Sequence, residues 1–188
     1  MKIVLLSGSR MGNKTRQAID LTHQLIQNQY EEIHVDLIDL AEKEIDFADG
    51  HHYLELTGDA GQVTQTIMES DALIIGSPIF QASLPGSLKN IFDLLPQNAL
   101  RGKTVGIVIT AGSPKHYLIA EYQLKPILTY MKAMVLPSYV FIEETDYAQG
   151  KIINQDIHYR LENLIKDIIL SNQALQLAQQ QEEDTYDF

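Results

Sequence analysis

Two stretches of the chain bring together residue types that can do chemistry at close spacing. The first is Gly8-Ser9-Arg10-Met11-Gly12-Asn13-Lys14-Thr15, directly after the short apolar run of residues 3–6. It offers hydroxyls, a carboxamide and two cations at the start of a helical pattern. A helix start has N–H groups without intrahelical partners and a partial positive charge, so the cluster as a unit points to a phosphate cradle. Taken singly, Ser9 and Asn13 would serve as helix caps, and Arg10 and Lys14 as solvated loop charges. The spacing is not a dinucleotide G-x-G-x-x-G, and no Gly-Lys-Ser/Thr follows to make a Walker loop. The second stretch, residues 76–93, reads Gly-Ser-Pro-Ile-Phe-Gln-Ala-Ser-Leu-Pro-Gly-Ser-Leu-Lys-Asn-Ile-Phe-Asp. Its polar loop carries one aromatic, Phe80, and Pro85-Gly86-Ser87 then opens a helix. A third loop of small residues, Ala111-Gly112-Ser113-Pro114, offers Ser113, Lys115 and His116 to a ligand, or else Gly112 and Pro114 only shape a turn.

Other chemistries are excluded or weakly supported. The chain has no cysteine, which removes disulfides, thiolate nucleophiles and Cys-ligated zinc or iron–sulfur centres. His51-His52 are adjacent, do not converge easily on one ion, and have no third ligand at a clear spacing, so a solvated loop is the better reading and no metal is expected. A net charge of -11 argues against a generic nucleic-acid binder, though a locally positive site can still take a phosphorylated ligand. No apolar run approaches the roughly 18 residues of a membrane span. The opening apolar run is too short for a signal-peptide core, so the expectation is a cytoplasmic protein.

Five apolar runs must position these loops. Residues 2–7 read as a first strand and residues 33–40 as a second strand and its exit, with His34 on an exposed polar face at the sheet edge. Residues 72–75 read as a buried third strand that stops at Gly76-Ser77-Pro78, because proline cannot continue a ladder. Residues 104–110 make a fourth, and residues 135–142 a fifth with Pro137 near its start. Helical spacing appears after Thr15, over 61–70, over 88–95, and from Ile152 to about Gln179. Residues 118–134 are also helical in pattern but contain Pro126, which predicts a kink or a helix that begins near it after an irregular segment. Residues 41–59 and 143–150 read as polar, acidic loops. The alternation of strands and helices predicts an α/β fold: a doubly wound five-stranded parallel sheet, order 2-1-3-4-5, with helices on both faces. That order sets strands one and three side by side at the switch point, and a ligand belongs between their exit loops. Residues 1–188 read as a single domain, frayed from about 180.

These residues carry a resemblance. Gly8-Ser9-Arg10 with Asn13 and Thr15, then Gly76-Ser77-Pro78-Ile79-Phe80-Gln81, Pro85-Gly86-Ser87-Leu88-Lys89-Asn90 and Asp93, fall in the order seen in the NAD(P)H-dependent FMN reductases, a flavodoxin-like family that includes azo, quinone and chromate reductases. The chain resembles that family over nearly its whole length. It departs in having Phe80 for the usual tyrosine, Gln81 for the usual Asn or His, and Ile79 where an acidic residue is often found. The resemblance implies non-covalent FMN, with Ser9, Arg10, Asn13, Lys14 and Thr15 on the phosphate. Pro78, Ile79, Phe80 and Gln81 would line the flavin ring, and Ala111, Gly112 and Ser113 would close its pyrimidine end. Arg10 could instead meet the 2′-phosphate of NADPH, and Lys89 and Asn90 would brace the loop or a subunit contact rather than touch the flavin. The resemblance further implies hydride transfer from NADPH or NADH to flavin N5 and then to a small-molecule acceptor such as flavin, quinone or an azo compound, with no catalytic side chain. It also implies a homodimer or tetramer, with the helix over 88–95 and the segment 117–131 as candidate contacts. The competing reading is a flavodoxin-type electron carrier without NAD(P)H activity.

Overall fold

The structure, a computed structural model, describes residues 1–186. Strand β1 (Lys2–Ser7) is an interior strand with both its faces buried. Its alternation sends Ile3 and Leu5 to one apolar cluster and Val4 and Leu6 to the other. Helices α1 (Lys14–Gln29) and α5 (Gln155–Tyr186) cover the first face through Ala18, Ile19, Ile26, Leu161, Ile165 and Ile168. Helices α2 (Gly58–Met68), α3 (Gly86–Leu94) and α4 (Lys125–Tyr130) cover the second through Val63, Ile67, Leu88, Ile91 and Leu128. Each of the fully buried Val, Leu and Ile side chains among these contributes roughly 1.5–3 kcal/mol.

The parallel order is β2 (His34–Asp39), β1, β3 (Ala72–Pro78), β4 (Thr104–Ala111), as the sequence predicts, with the fifth position beyond β4. That order is the flavodoxin-like form of the doubly wound fold. His34 is exposed on the edge strand, as expected.

Several elements differ from expectation. The fifth strand is two short pieces, β5 (Met134–Val135) and β6 (Val140–Glu143), both paired to β4. Pro137 has no N–H to give the ladder, and residues 136–139 detour around it, although Leu136 N–H still reaches Val105 O at 2.9 Å. Strand β3 does not stop at Gly76; it pairs with β4 through Pro78↔Thr110. Residues 76 and 78 point to the same side of a strand, the side of β1, and β1 has already ended at Ser7↔Gly76. The missing N–H of Pro78 therefore has no ladder partner to disappoint. The third difference is α2, which starts at Gly58 rather than Gly61.

Around Pro126 the chain makes a π-helical turn (Ala120–Leu124) before α4 begins at Lys125. Proline thus sits in the first turn, where its missing N–H costs nothing. The polar tail expected to fray from about residue 180 continues α5 to Tyr186; Asp187 and Phe188 lie outside the described residues. After β6, a 3₁₀ turn (Glu144–Asp146) leads into a small hairpin, β7 (Tyr147–Ala148) with β8 (Lys151–Ile152). Among the described residues no helix is long and apolar enough to cross a membrane.

Candidate functional site

The carboxyl ends of β1, β3 and β4 open into one cleft of about 270 Å³. Met11, Gly12, Asn13, Lys14, Thr15, Pro78, Ile79, Phe80, Thr110, Ala111, Gly112 and Glu144 line it. Its first wall is the β1–α1 loop. Gly8 N–H donates to Gly76 O at 2.8 Å, and a Cβ on Gly8 would stand 2.8 Å from that oxygen and 2.9 Å from Leu88 Cδ2, so only glycine allows the two loops to meet this closely. Ser9 is buried, and its Oγ both donates to Met11 O (2.6 Å) and accepts from Met11 N–H (3.2 Å), which folds the loop back on itself. Gly12, at φ +73°, turns the chain into α1.

The start of α1 is set up for an anion. Asn13 occupies the N-cap position yet its side chain makes no capping bond, and the first turn carries no acidic residue. The first N–H groups of the helix and its dipole therefore face the cleft without an internal acceptor from the cap. Below them Thr15 Oγ1 and Thr110 Oγ1, both buried, lie 2.7 Å apart and tie α1 to β4. One hydroxyl donates to the other, which keeps a hydrogen of its own to give.

The far wall is Glu144, whose carboxylate forms an ion pair with Lys14 Nζ. The same strap is fastened by Tyr147, whose phenol donates to Lys14 O at 3.1 Å and whose ring lies 5.7 Å beneath the Lys14 ammonium. Burial first, and the neighbouring Asp146 second, push the Tyr147 phenol well above its ordinary value, so it holds its proton and stays a donor.

The third wall is a tight turn. Phe80 and Ser83 exchange both backbone hydrogen bonds at 2.9 Å, and the two residues between them, Gln81 (φ 48°) and Ala82 (φ 56°), are both left-handed. That is a type I′ turn built without glycine, and each such residue costs on the order of 1 kcal/mol. Gln123, in the π-helical turn, holds it: Nε2 donates to Ala82 O at 3.1 Å and Oε1 accepts from Ser83 Oγ. The N–H of Gln81 finds no acceptor among the described residues.

The arrangement is an uncapped helix start, a hydroxyl pair and a lysine beside a rigid loop with one aromatic. It suits a phosphorylated, planar ligand, and comparison with known proteins agrees. The model of the NADPH-dependent FMN reductases matches residues 1–147. The chain belongs to that family. It is 33% identical to an NAD(P)H-dependent FAD/FMN reductase of Geobacillus thermodenitrificans over 90% of this chain and 92% of that protein. A shorter match, 30% identical over 50% of this chain and 54% of the relative, is to a quinone reductase of Escherichia coli. Among solved structures, the apo form of an NADH:FMN oxidoreductase superposes with a TM-score of 0.77 at 26% identity, covering 90% of this chain and 89% of that one.

Within this family frame, the residues singled out in the sequence divide. Asn13, Lys14, Thr15, Pro78, Ile79, Phe80, Ala111 and Gly112 meet in the cleft. Ser9 spends its hydroxyl on the loop. Gln81 sits at the exposed apex of its turn, and Ser113 turns away to accept from Lys115 N–H at 3.2 Å, capping the 3₁₀ turn Pro114–His116. Arg10 lines a separate hollow behind the loop. Asn90 braces the segment 46–48 rather than the loop before its helix, and Lys89 pairs with Asp93 on the same helix. His51 pairs with Asp49 at 2.7 Å. Sequence reasoning missed Met11, Gly12, Thr110 and Glu144 as lining residues. Thr110 ends an apolar strand beside the third loop and was findable there, whereas Glu144 stands in an acidic loop with no pattern to mark it.

Proposed function

We propose that this chain is an FMN-dependent NAD(P)H oxidoreductase. The observation that carries the reading is the uncapped, acid-free start of α1 opening between the exits of β1, β3 and β4. In this reading the first-turn N–H groups of α1, with Asn13, Lys14 and the Thr15 hydroxyl, hold the phosphate. Pro78, Ile79 and Phe80 line the flavin ring, Ala111 and Gly112 close its other end, and Ser9 acts one step back by shaping the loop. Phe80 N–H is committed to Ser83 O, so the Gln81 and Ala82 N–H groups are the donors that the turn has left to offer at the ring edge. When bound, FMN would supply the hydride-accepting centre at N5 and pass electrons on to a small acceptor such as flavin, quinone or an azo compound. No side chain of the cleft is placed as an obligatory acid or base.

The flavin-facing opening calls for a second wall, and a second copy of this chain is the proposed supplier. A groove of about 540 Å³ runs between α3 and α4, lined by Phe92, Leu95, Pro126, Ile127, Tyr130 and Met131 among others, and Tyr130 in its wall is exposed. A cytoplasmic homodimer is the form we propose. Gel filtration with light scattering tests it: a single-chain mass at micromolar concentration would contradict it. The reaction itself is tested by anaerobic addition of NADPH to the FMN-loaded protein. Loss of the visible flavin band supports the oxidoreductase, and a retained band that NADPH leaves unchanged supports an electron carrier instead.

A further inference from the structure

Behind the β1–α1 loop lies a second hollow of about 190 Å³, lined by Arg10, Leu40, Lys43, Ile45, Phe47, Ser87, Asn90 and Ile91. Two of its features are unexplained by the cleft. Phe47 is 82% exposed, yet the segment that carries it is fixed. Asn90, buried on α3, donates from Nδ2 to Asp46 O at 2.9 Å and accepts at Oδ1 from Ala48 N–H at 2.9 Å, gripping the residues on either side of Phe47. Further back, Asp59 accepts from Glu44 N–H at 2.8 Å and from Lys43 Nζ at 2.9 Å. A large apolar ring is thus held out in water by a rigid frame, which is the form of a stacking platform rather than of a loose loop.

The second feature is Arg10. Its guanidinium is exposed and makes no hydrogen bond or ion pair among the described residues. Its neighbours are all engaged: Lys14 with Glu144, Arg16 with Asp20 and Asp39, Lys43 with Asp59 and Gln62. In a chain of net charge -11 this leaves one unpaired cation beside a fixed aromatic and an apolar floor. A planar guanidinium matches a phosphate in fork geometry, and an aromatic face takes any base. The hollow also borders the cleft. Arg10 lines one and Met11, the next residue, lines the other, and Ser87 Oγ ties α3 to the shared wall through Gly8 O at 3.1 Å.

We infer that this hollow binds the adenylate end of the nicotinamide reductant, its purine against Phe47 and a phosphate on Arg10, while the nicotinamide end reaches the cleft. The inference rests on the oxidoreductase reading for its substrate, and its test separates the two. ADP-ribose, which carries no nicotinamide, is titrated into the protein and into Phe47→Ala and Arg10→Gln by calorimetry. In parallel, KM is measured for NADPH and for reduced nicotinamide mononucleotide, which lacks the adenylate. The expected result is ADP-ribose binding that weakens about tenfold in both variants. For Phe47→Ala, KM for NADPH rises by a similar factor, while KM for the mononucleotide and FMN affinity stay unchanged. Phe47→Tyr keeps the ring and restores both readouts. The inference is overturned if ADP-ribose does not bind, if it binds wild type and Phe47→Ala alike, or if Phe47→Ala shifts both reductants equally. A protein that neither holds FMN nor oxidises NADPH overturns the oxidoreductase reading instead, and ADP-ribose binding still decides the site.

Discussion

Glu144→Gln should tighten FMN binding, an unusual direction for removing a charge from a ligand site. The carboxylate lines the proposed phosphate end of the cleft and forms an ion pair with Lys14. Phosphate on Lys14 must displace or share that pairing, and then stands within two contact distances of Glu144. For charges of about -1.8 and -1 roughly 7 Å apart, Coulomb's law gives about 1 kcal/mol at the dielectric of water and about 4 kcal/mol at an effective dielectric of 20. The side chains of Lys14 and Glu144 are 39% and 60% exposed, so the lower figure governs. Releasing Lys14 from an exposed pair adds at most about 1 kcal/mol. The sum, on the order of 1–2 kcal/mol, corresponds to FMN binding about five to thirty times tighter at low ionic strength. Quenching of flavin fluorescence during titration measures it. Riboflavin, which has no phosphate, should bind both proteins equally, and raising salt to about 1 M should erase the FMN difference. An FMN affinity within twofold of wild type, or an equal gain for riboflavin, would refute the reasoning.

Three further outcomes follow from the same walls. Thr15→Val or Thr110→Val alone strands a buried hydroxyl and should lower stability by about 1–3 kcal/mol, whereas the double variant should cost clearly less than the sum of the two, as read from urea denaturation midpoints. Gln123→Ala removes both side-chain bonds to the left-handed turn at Gln81 and Ala82; FMN and riboflavin should weaken together by a few fold, in contrast to Glu144→Gln, and loss of FMN affinity alone would contradict the role given to the turn. Tyr147→Phe loses the bond to Lys14 O and should be about 1 kcal/mol less stable near neutral pH. The folded phenol titrates above its ordinary value of 10.0, so its stabilising effect is full below pH 10 and fades as pH rises beyond it; the gap between wild type and variant should narrow there, and a gap constant to pH 11.5 would contradict the burial argument.

The sheet order and the cleft walls other than Glu144 were legible because they are written in local pattern. Runs such as Ile3 to Leu6 and Ala72 to Ile75, short and bounded by turn residues, read as buried strands, and the crossover rule leaves few arrangements, among them the observed one with β1 beside β3. What the sequence could not show was where long side chains go. Arg10 and Lys14 read alike in a loop, yet one points behind the wall while the other is bound to Glu144, some 130 positions away in sequence. Ser9 reads as a ligand donor but closes its own turn, a choice decided by the path through Gly12. Pro78 misled because its effect depends on whether a neighbouring strand still runs beside it, which is a property of the sheet rather than of the segment.

The central claim is that this cleft holds FMN and lets NAD(P)H reduce it. The most direct measurement is the visible spectrum of the purified protein after FMN is added and unbound flavin removed, recorded before and after anaerobic NADPH. The account predicts a retained flavin band that bleaches on addition. A protein that retains no flavin and turns over no free flavin with NADPH would contradict it, leaving only the fold.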